Sequence, residues 1–211
     1  MKRFLFFILS ISFFLRTYAQ EVVVNKGDVI DGTVLVNGKP VPTRYKVWRA
    51  RPDACHVRLG ADEYGQPAVD TTTAGRIVIP DSIIGPDGKY YQVRAVARQA
   101  FAHCRNITEV VMPERLNDIG DQSFLGCNSL TEITLPARTK IIYPCAFRDC
   151  PRLHVIKLEC TVIPRTYNDV FDRHTIEHGT LFIPAGTSAL YADSQVWGMF
   201  AHRFELFREA K

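Results

Sequence analysis

The feature that most restricts what this chain can fold into is an internal repeat of 23 residues. Phe101, Phe124 and Phe147 stand 23 apart, each after a small residue, Ala100, Ser123 or Ala146. The same interval returns at Cys104, Cys127 and Cys150, at Ile107, Leu130 and Leu153, at Val110, Ile133 and Ile156, and at Met112, Leu135 and Leu158. Val96, Ile119 and Ile142 complete the set on the N-terminal side. So many apolar positions in phase mean stacked units, none of which can bury its apolar side alone.

Within a unit, Leu130, Ile133 and Leu135 have the L-x-x-L-x-L spacing of a leucine-rich strand. Ile133 and Leu135 alternate with polar residues, which predicts a strand buried on one face and wet on the other. Pro113 and Pro136 end their strands, because proline has no N–H for the ladder. The stretch from there to the next Phe is too short for a long helix, so a coil of short strands and turns is expected. Residues 119–136 resemble the repeat of BspA-like bacterial leucine-rich repeat proteins. In the third copy Glu159 replaces the closing Pro and Pro144 replaces a polar residue, so that strand is expected to run on toward Cys160. The resemblance implies a leucine-rich repeat solenoid of short parallel strands with irregular or short helical returns, and surface protein interactions.

A solenoid must cover its apolar core at both ends. Leu181, Phe182 and Ile183, followed by Pro184, Gly186, Tyr191, Trp197 and Phe200, are similar to the family's terminal unit, a last strand and a short helix with aromatic anchors. Thr187 or Ser188 is placed to cap that helix. Residues 160–179 then form a degenerate fourth rung, with Phe171 falling 24 after Phe147 and some irregular loop expected. Upstream, Arg76 to Pro80 repeats the strand-then-Pro ending, and Gly85 to Gly88 is a turn between Ile83 and Tyr90. Strands are predicted at Val34 to Val36, Tyr45 to Trp48 and Cys55 to Leu59. The chain therefore divides into a leader (1–19), a β-rich N-terminal cap (20–75), the solenoid (76–180) and a C-terminal strand-plus-helix cap (181–211).

Lys2 and Arg3, the apolar run Phe4 to Leu15 and the small residues before Gln20 read as a secretory signal peptide. Arg16 ends the run well short of the roughly 20 residues a membrane span needs. No transmembrane segment is expected in the mature chain, nor any lipid on its N-terminus, since no cysteine precedes Cys55. No anchoring domain is expected after the terminal unit. Met1 to Ala19 carries Lys2, Arg3 and Arg16 and no acid, so removing it lowers the formal charge from +4 to +1. The remaining charges are interspersed along the chain, which argues against a nucleic-acid partner.

Six cysteines in an exported chain raise the question of disulfides. Cys104, Cys127 and Cys150 share one rung position, where buried free thiols are the simpler reading. A bond between neighbouring rungs, about 4.8 Å apart, is geometrically possible. Cys145 with a partner off that row is the first pairing to check. No metal or cofactor is expected, since the histidines and cysteines lack four-ligand spacing. The neighbours His103 and Cys104 point apart, and no nucleophile elbow, phosphate loop or zinc-protease motif is present.

What remains is the outward face of the repeat strands: Thr108, Glu109 and Val111; Thr131, Glu132 and Thr134; His154, Val155 and Lys157. Glu109 and Glu132 stack side by side there, a small cost unless they face water or a ligand. Three rungs give a patch about 15 Å long. The expectation is a non-enzymatic exported module that binds host or envelope proteins or serves in adhesion, located in the periplasm, at the cell surface or outside the cell. An envelope assembly component held by residues 20–75 is the alternative, and a secreted hydrolase the third.

Overall fold

The structure is a computed structural model that describes residues 22–51, 53–61, 66–167 and 169–206. The expected signal peptide lies outside the described residues. Strands dominate, in one 14-stranded sheet that folds back on itself.

Two parallel ladders run along the solenoid. The first contains β4 (Ala74–Val78), β7 (Asn106–Val111), β9 (Glu132–Leu135), β11 (Val155–Leu158), β13 (Thr180–Ile183) and β14 (Phe204–Leu206). The second contains β6 (Tyr90–Val96), β8 (Asp118–Ile119), β10 (Ile141–Ile142) and β12 (Arg165–Thr166). Each 23-residue unit therefore contributes one strand to each ladder. The short strand β5 (Ser82–Ile84) folds against β6 as a hairpin across the turn at Gly85 to Gly88.

The corner between the ladders explains the repeated Phe. Phe101, Phe124, Phe147 and Phe171 stack in a column with ring centroids 5.1, 5.1 and 5.6 Å apart. Their backbones step along with them: Phe101 N donates to Ser123 O, Phe124 N to Ala146 O and Phe147 N to Val170 O, at 2.7 to 3.0 Å. Each corner turns through two left-handed residues, Gln99, Gln122 and Cys145 before the Phe column, and His103, Gly126 and Asp149 after it. Offset stacking of fully buried rings adds to the gain from their burial. The 24-residue step to Phe171 is absorbed by the degenerate rung, which carries α1 (Arg173–His178) as well as loop.

The N-terminal strands β1 (Val29–Val36), β2 (Lys39–Arg51) and β3 (Ala54–Leu59) are antiparallel to one another. Asn37 and Gly38, both at positive φ, form the two-residue turn between β1 and β2. β3 pairs parallel with β6 and β1 pairs antiparallel with β4. The three strands thus bridge the first rungs of both ladders and close that end over Tyr45, Val57 and Leu59, all fully buried. Tyr45 donates its hydroxyl to Thr33 O at 2.8 Å, so a buried ring keeps its polar end satisfied.

At the other end β13, α2 (Ser188–Ala192) and a 3-10 helix (Trp197–Arg203) cover the last rung with Tyr191, Trp197 and Phe200. Phe171 meets Trp197 and Phe200 edge-on, which ends the parallel stack. Two local expectations change. The Thr187 hydroxyl does not cap α2; it donates to Pro184 O at 2.7 Å, closing the turn before the helix. The third repeat strand ends at Leu158, and Glu159 adds one more ladder bond, to Leu135 O, before the chain turns away.

Candidate functional site

The L-x-x-L-x-L spacing has a geometric consequence on the first ladder. Ile107 and Val110 both point inward although they are three apart, and pairing with β4 shifts register between Gly75 and Arg76, opposite Thr108. Two successive residues, Thr108 and Glu109, are therefore left on the outer side. Thr131 with Glu132, and His154 with Val155, repeat the arrangement. All nine residues expected on the outward face are exposed or half-buried.

Their registry is set by the ladder. Thr131 N donates to Thr108 O at 3.3 Å, and His154 N to Thr131 O at 3.1 Å. Glu109 pairs with Glu132 and Glu132 with Val155; Thr134 pairs with Lys157. The row continues past the three repeats, through Arg76 and Val78 on β4 and through Thr180 and Phe182 on β13. Six strands give a face about 29 Å long at sheet spacing, where three repeats alone give about 15 Å. Arg76 and Phe182 lie in segments whose strand character is visible in the sequence, but only pairing shows that they extend this row.

The stacked Glu109 and Glu132 are flanked by cations. Arg76 Nε donates to Glu109 Oε1 at 3.0 Å, and Lys157 Nζ donates to Glu132 Oε1. The four charges thus alternate as one basic, two acidic and one basic group across the face. Both pairs are half exposed, so each is worth little for stability. His154 places Nδ1 2.7 Å from Arg152 O at the N-terminal edge.

At the C-terminal ends of these strands lies a groove of about 540 Å³. Glu109, Val111, Glu132 and Thr134 line it, so four of the nine expected residues converge there. Met112, Glu114, Arg138 and Glu159 complete its wall from the strand ends and the loops that follow. Thr108, Thr131, His154, Val155 and Lys157 do not line the groove. Its carboxylates and one guanidinium form a polar surface that can meet hydrogen-bonding or basic side chains, and its lining holds no serine, cysteine or histidine.

The six cysteines are free. Cys127 donates its thiol to Phe101 O at 3.2 Å, and Cys150 to Phe124 O at 3.1 Å, so each reaches the preceding rung. Cys160 does the same to Pro136 O at 3.1 Å. Burial pushes the Cys104 thiol up to about 12, with Asp70 adding to it, and the Cys160 thiol up to about 11. Such thiols stay protonated and unreactive at neutral pH. Cys145, half-buried at the corner, donates to Asp169 Oδ2 at 3.1 Å. Among the described residues no group of three or more His, Cys, Asp or Glu is arranged to hold a metal, and no helix is long and apolar enough to cross a membrane.

The repeats match a known family, and two solved structures are similar at low identity. The family "BspA type Leucine rich repeat region" matches residues 90–191 in six copies. A leucine rich repeat protein of T. pallidum, TpLRR, is similar at 20% identity and a TM-score of 0.45, over 67% of this chain and 70% of that one. The pneumococcal vaccine antigen PcpA is similar at 19% identity and a TM-score of 0.41, over 77% of this chain and 42% of that one. No curated protein matches the chain.

Proposed function

The chain belongs, through residues 90–191, to the BspA-type leucine-rich repeat family, and from that premise we propose that it is an exported, non-catalytic module that binds proteins in recognition or adhesion. The reading gives residues 1–19 the role of leader, 20–75 and 181–211 the roles of caps, and 76–180 that of binding solenoid. Its ligand is met by the first ladder, from Thr108, Glu109 and Val111 through Thr131, Glu132 and Thr134 to His154, Val155 and Lys157.

The observation that carries the reading is the registered outward row, with its groove at the strand ends. Six parallel strands hold those side chains on a rigid backbone, so little ordering entropy opposes a partner. The ion pairs at Glu109 and Glu132 keep the row ordered while leaving half of each carboxylate in water.

A photo-crosslinking residue at Thr131 tests this in the native cell. Protein adducts at Thr131, and none with the same residue at exposed Leu190 on the C-terminal cap, are expected. Equal adducts at both positions, or none at Thr131, remove the assignment of the face. Export is tested separately, by recovering the protein outside the cytoplasm with Gln20 as its first residue. The envelope-component alternative is better probed by surface substitutions on β1 to β3 than by deleting residues 20–75, because those strands cover the core of the first rungs.

A further inference from the structure

The second ladder presents a surface of opposite character. Asn117 N donates to Arg94 O at 2.8 Å, Lys140 N to Asn117 O at 2.7 Å, and Arg165 N to Lys140 O at 2.8 Å. These ladder bonds bring Arg94, Asn117, Lys140 and Arg165 onto neighbouring rungs, with Asn117 between the first two cations and Arg165 in register with Ile141, which in turn pairs with Asp118. Arg115 and Arg138, 23 residues apart, occupy the same point of consecutive rungs just before the short strands. Arg115, Arg138, Lys140 and Arg165 are exposed. The acid in that register, Asp118, has its carboxyl pushed up by burial, against the pull of Arg58 and Lys140.

At the N-terminal end the cations border a groove of about 560 Å³, lined by His56, Lys89, Tyr90, Gln92, Arg94 and Arg115 and by one acid, Asp53, which pairs with Arg49. Arg94 donates Nη1 to Arg115 O at 3.0 Å, which fixes its guanidinium, yet its Nε is buried without a hydrogen-bond partner. A buried donor left unsatisfied is costly unless a ligand meets it. Burial, then Arg115 and Arg138, hold the Arg94 guanidinium below its ordinary range; burial, then Arg94 and Arg49, do the same to the His56 imidazole. Among the described residues, no ion pair offsets Arg94 or Arg115.

We infer that the outer face of the second ladder binds an acidic polysaccharide laid along the solenoid axis, with one sulfate or carboxylate seated on Arg94 and Arg115 in the groove and the following units tracking Arg138, Lys140 and Arg165. Guanidinium groups suit such oxyanions because they offer paired donors. Cations repeated rung after rung suit a linear polyanion better than a single small anion. The groove is of ligand size, and the exposed ring of Tyr90 gives a sugar an apolar wall. The choice of polysaccharide over nucleic acid rests on the export reading. Arg138 also lines the groove of the strand face assigned to proteins, whereas Arg94 and Arg115 line only the second-ladder groove and Thr131 lines neither, so adducts at Thr131 and substitutions at Arg94 and Arg115 let either assignment fail without the other.

The test uses the chain from Gln20 to Lys211 and measures affinity for heparin, polygalacturonate, neutral dextran and single-stranded DNA at two salt concentrations. Binding to an acidic polysaccharide that weakens with salt, with none to dextran, is expected. Arg94→Gln/Arg115→Gln/Arg138→Gln should lower that affinity on the order of tenfold or more. Arg105→Gln/Arg152→Gln/Arg173→Gln, which removes the same charge elsewhere, should leave it nearly unchanged. Should the first variant misfold, Arg115→Gln/Arg138→Gln alters only exposed side chains and should still weaken binding. Absence of acidic-polysaccharide binding, or equal loss in the stripe and control variants, overturns the site. DNA binding as tight as that of the best polysaccharide overturns the ligand class.

Discussion

The two ladders are made by the same repeat and differ in nearly every other respect. The first has strands of three to six residues with a regular inward row, and its outer side carries Glu109 and Glu132 between Arg76 and Lys157. Beyond β6, strands of the second are two residues long, and its outer side gathers Arg94, Arg115, Lys140 and Arg165, with Arg138 at the border between the two faces. A long strand needs a regular inward row, so its outward positions are free to vary, from Glu109 and Thr134 to Val111 and Val155. A two-residue strand is held by its neighbours' backbones and by the corners beside it, and those corners leave less room for change.

The largest effect should come from the element that both ladders share. Phe124 is fully buried between Phe101 and Phe147, and Phe124→Ala should cost about 3–5 kcal/mol in chemical unfolding. A near-neutral result would mean that the rungs do not stack in this register.

The next effect separates the ladders. A Cβ on Gly120, just after β8, would lie 2.6 Å from the Ala97 carbonyl carbon and 2.7 Å from Arg98 N. Backbone there has little room to yield, so Gly120→Ala should destabilise by about 1–3 kcal/mol. Thr131→Ala on the first ladder's outer row should change stability by less than about 0.5 kcal/mol. Equal losses for the two in thermal unfolding would erase the contrast drawn between crowded corner and open strand face.

The core between the ladders should show itself in alkali. Cys104 rises from its ordinary 9.0 to about 12 and Cys160 to about 11, both first by burial. A thiol whose pKa is raised on folding contributes stability that is complete below pH about 9 and lost as the pH climbs through about 11 to 12. The melting temperature should therefore fall between pH 8 and pH 10.5, and Cys104→Ala/Cys160→Ala should flatten part of that slope. An identical slope in the variant would show that these thiols are not what the core protects.

The smallest effect on stability belongs to the acidic row. Glu109→Gln/Glu132→Gln removes two ion pairs and one like-charge contact, opposing changes at half-exposed positions, so the urea midpoint should shift by no more than about 0.5 kcal/mol equivalent. The same variant should weaken partner adducts at Thr131. Intact adducts would move the protein-binding assignment off this row.

How much of this is legible in the sequence depends on the ladder. The inward positions of the first, from Ile107 to Leu158, and the nine outward residues between them follow from spacing alone, because each strand shows its period over several residues. The second ladder is nearly invisible as strands: Asp118 and Ile119, or Arg165 and Thr166, are too short to show any period. The interspersed charge of the chain likewise hides the basic stripe, whose members are spread from Arg94 to Arg165.

By itself, then, the sequence determined the 23-residue register, the Phe column, the buried thiols at Cys104, Cys127 and Cys150, and the closing aromatics Tyr191, Trp197 and Phe200. Each of these repeats or concentrates apolar side chains locally, and burial of apolar surface dictates where they go. Tertiary structure alone decided that β1 to β3 bind both ladders at once, that Thr187 turns back to Pro184, and that cations from separate rungs meet on one side while carboxylates meet on the other. Those outcomes depend on which rung lies beside which, and stacking brings together charges that no local pattern in the chain connects.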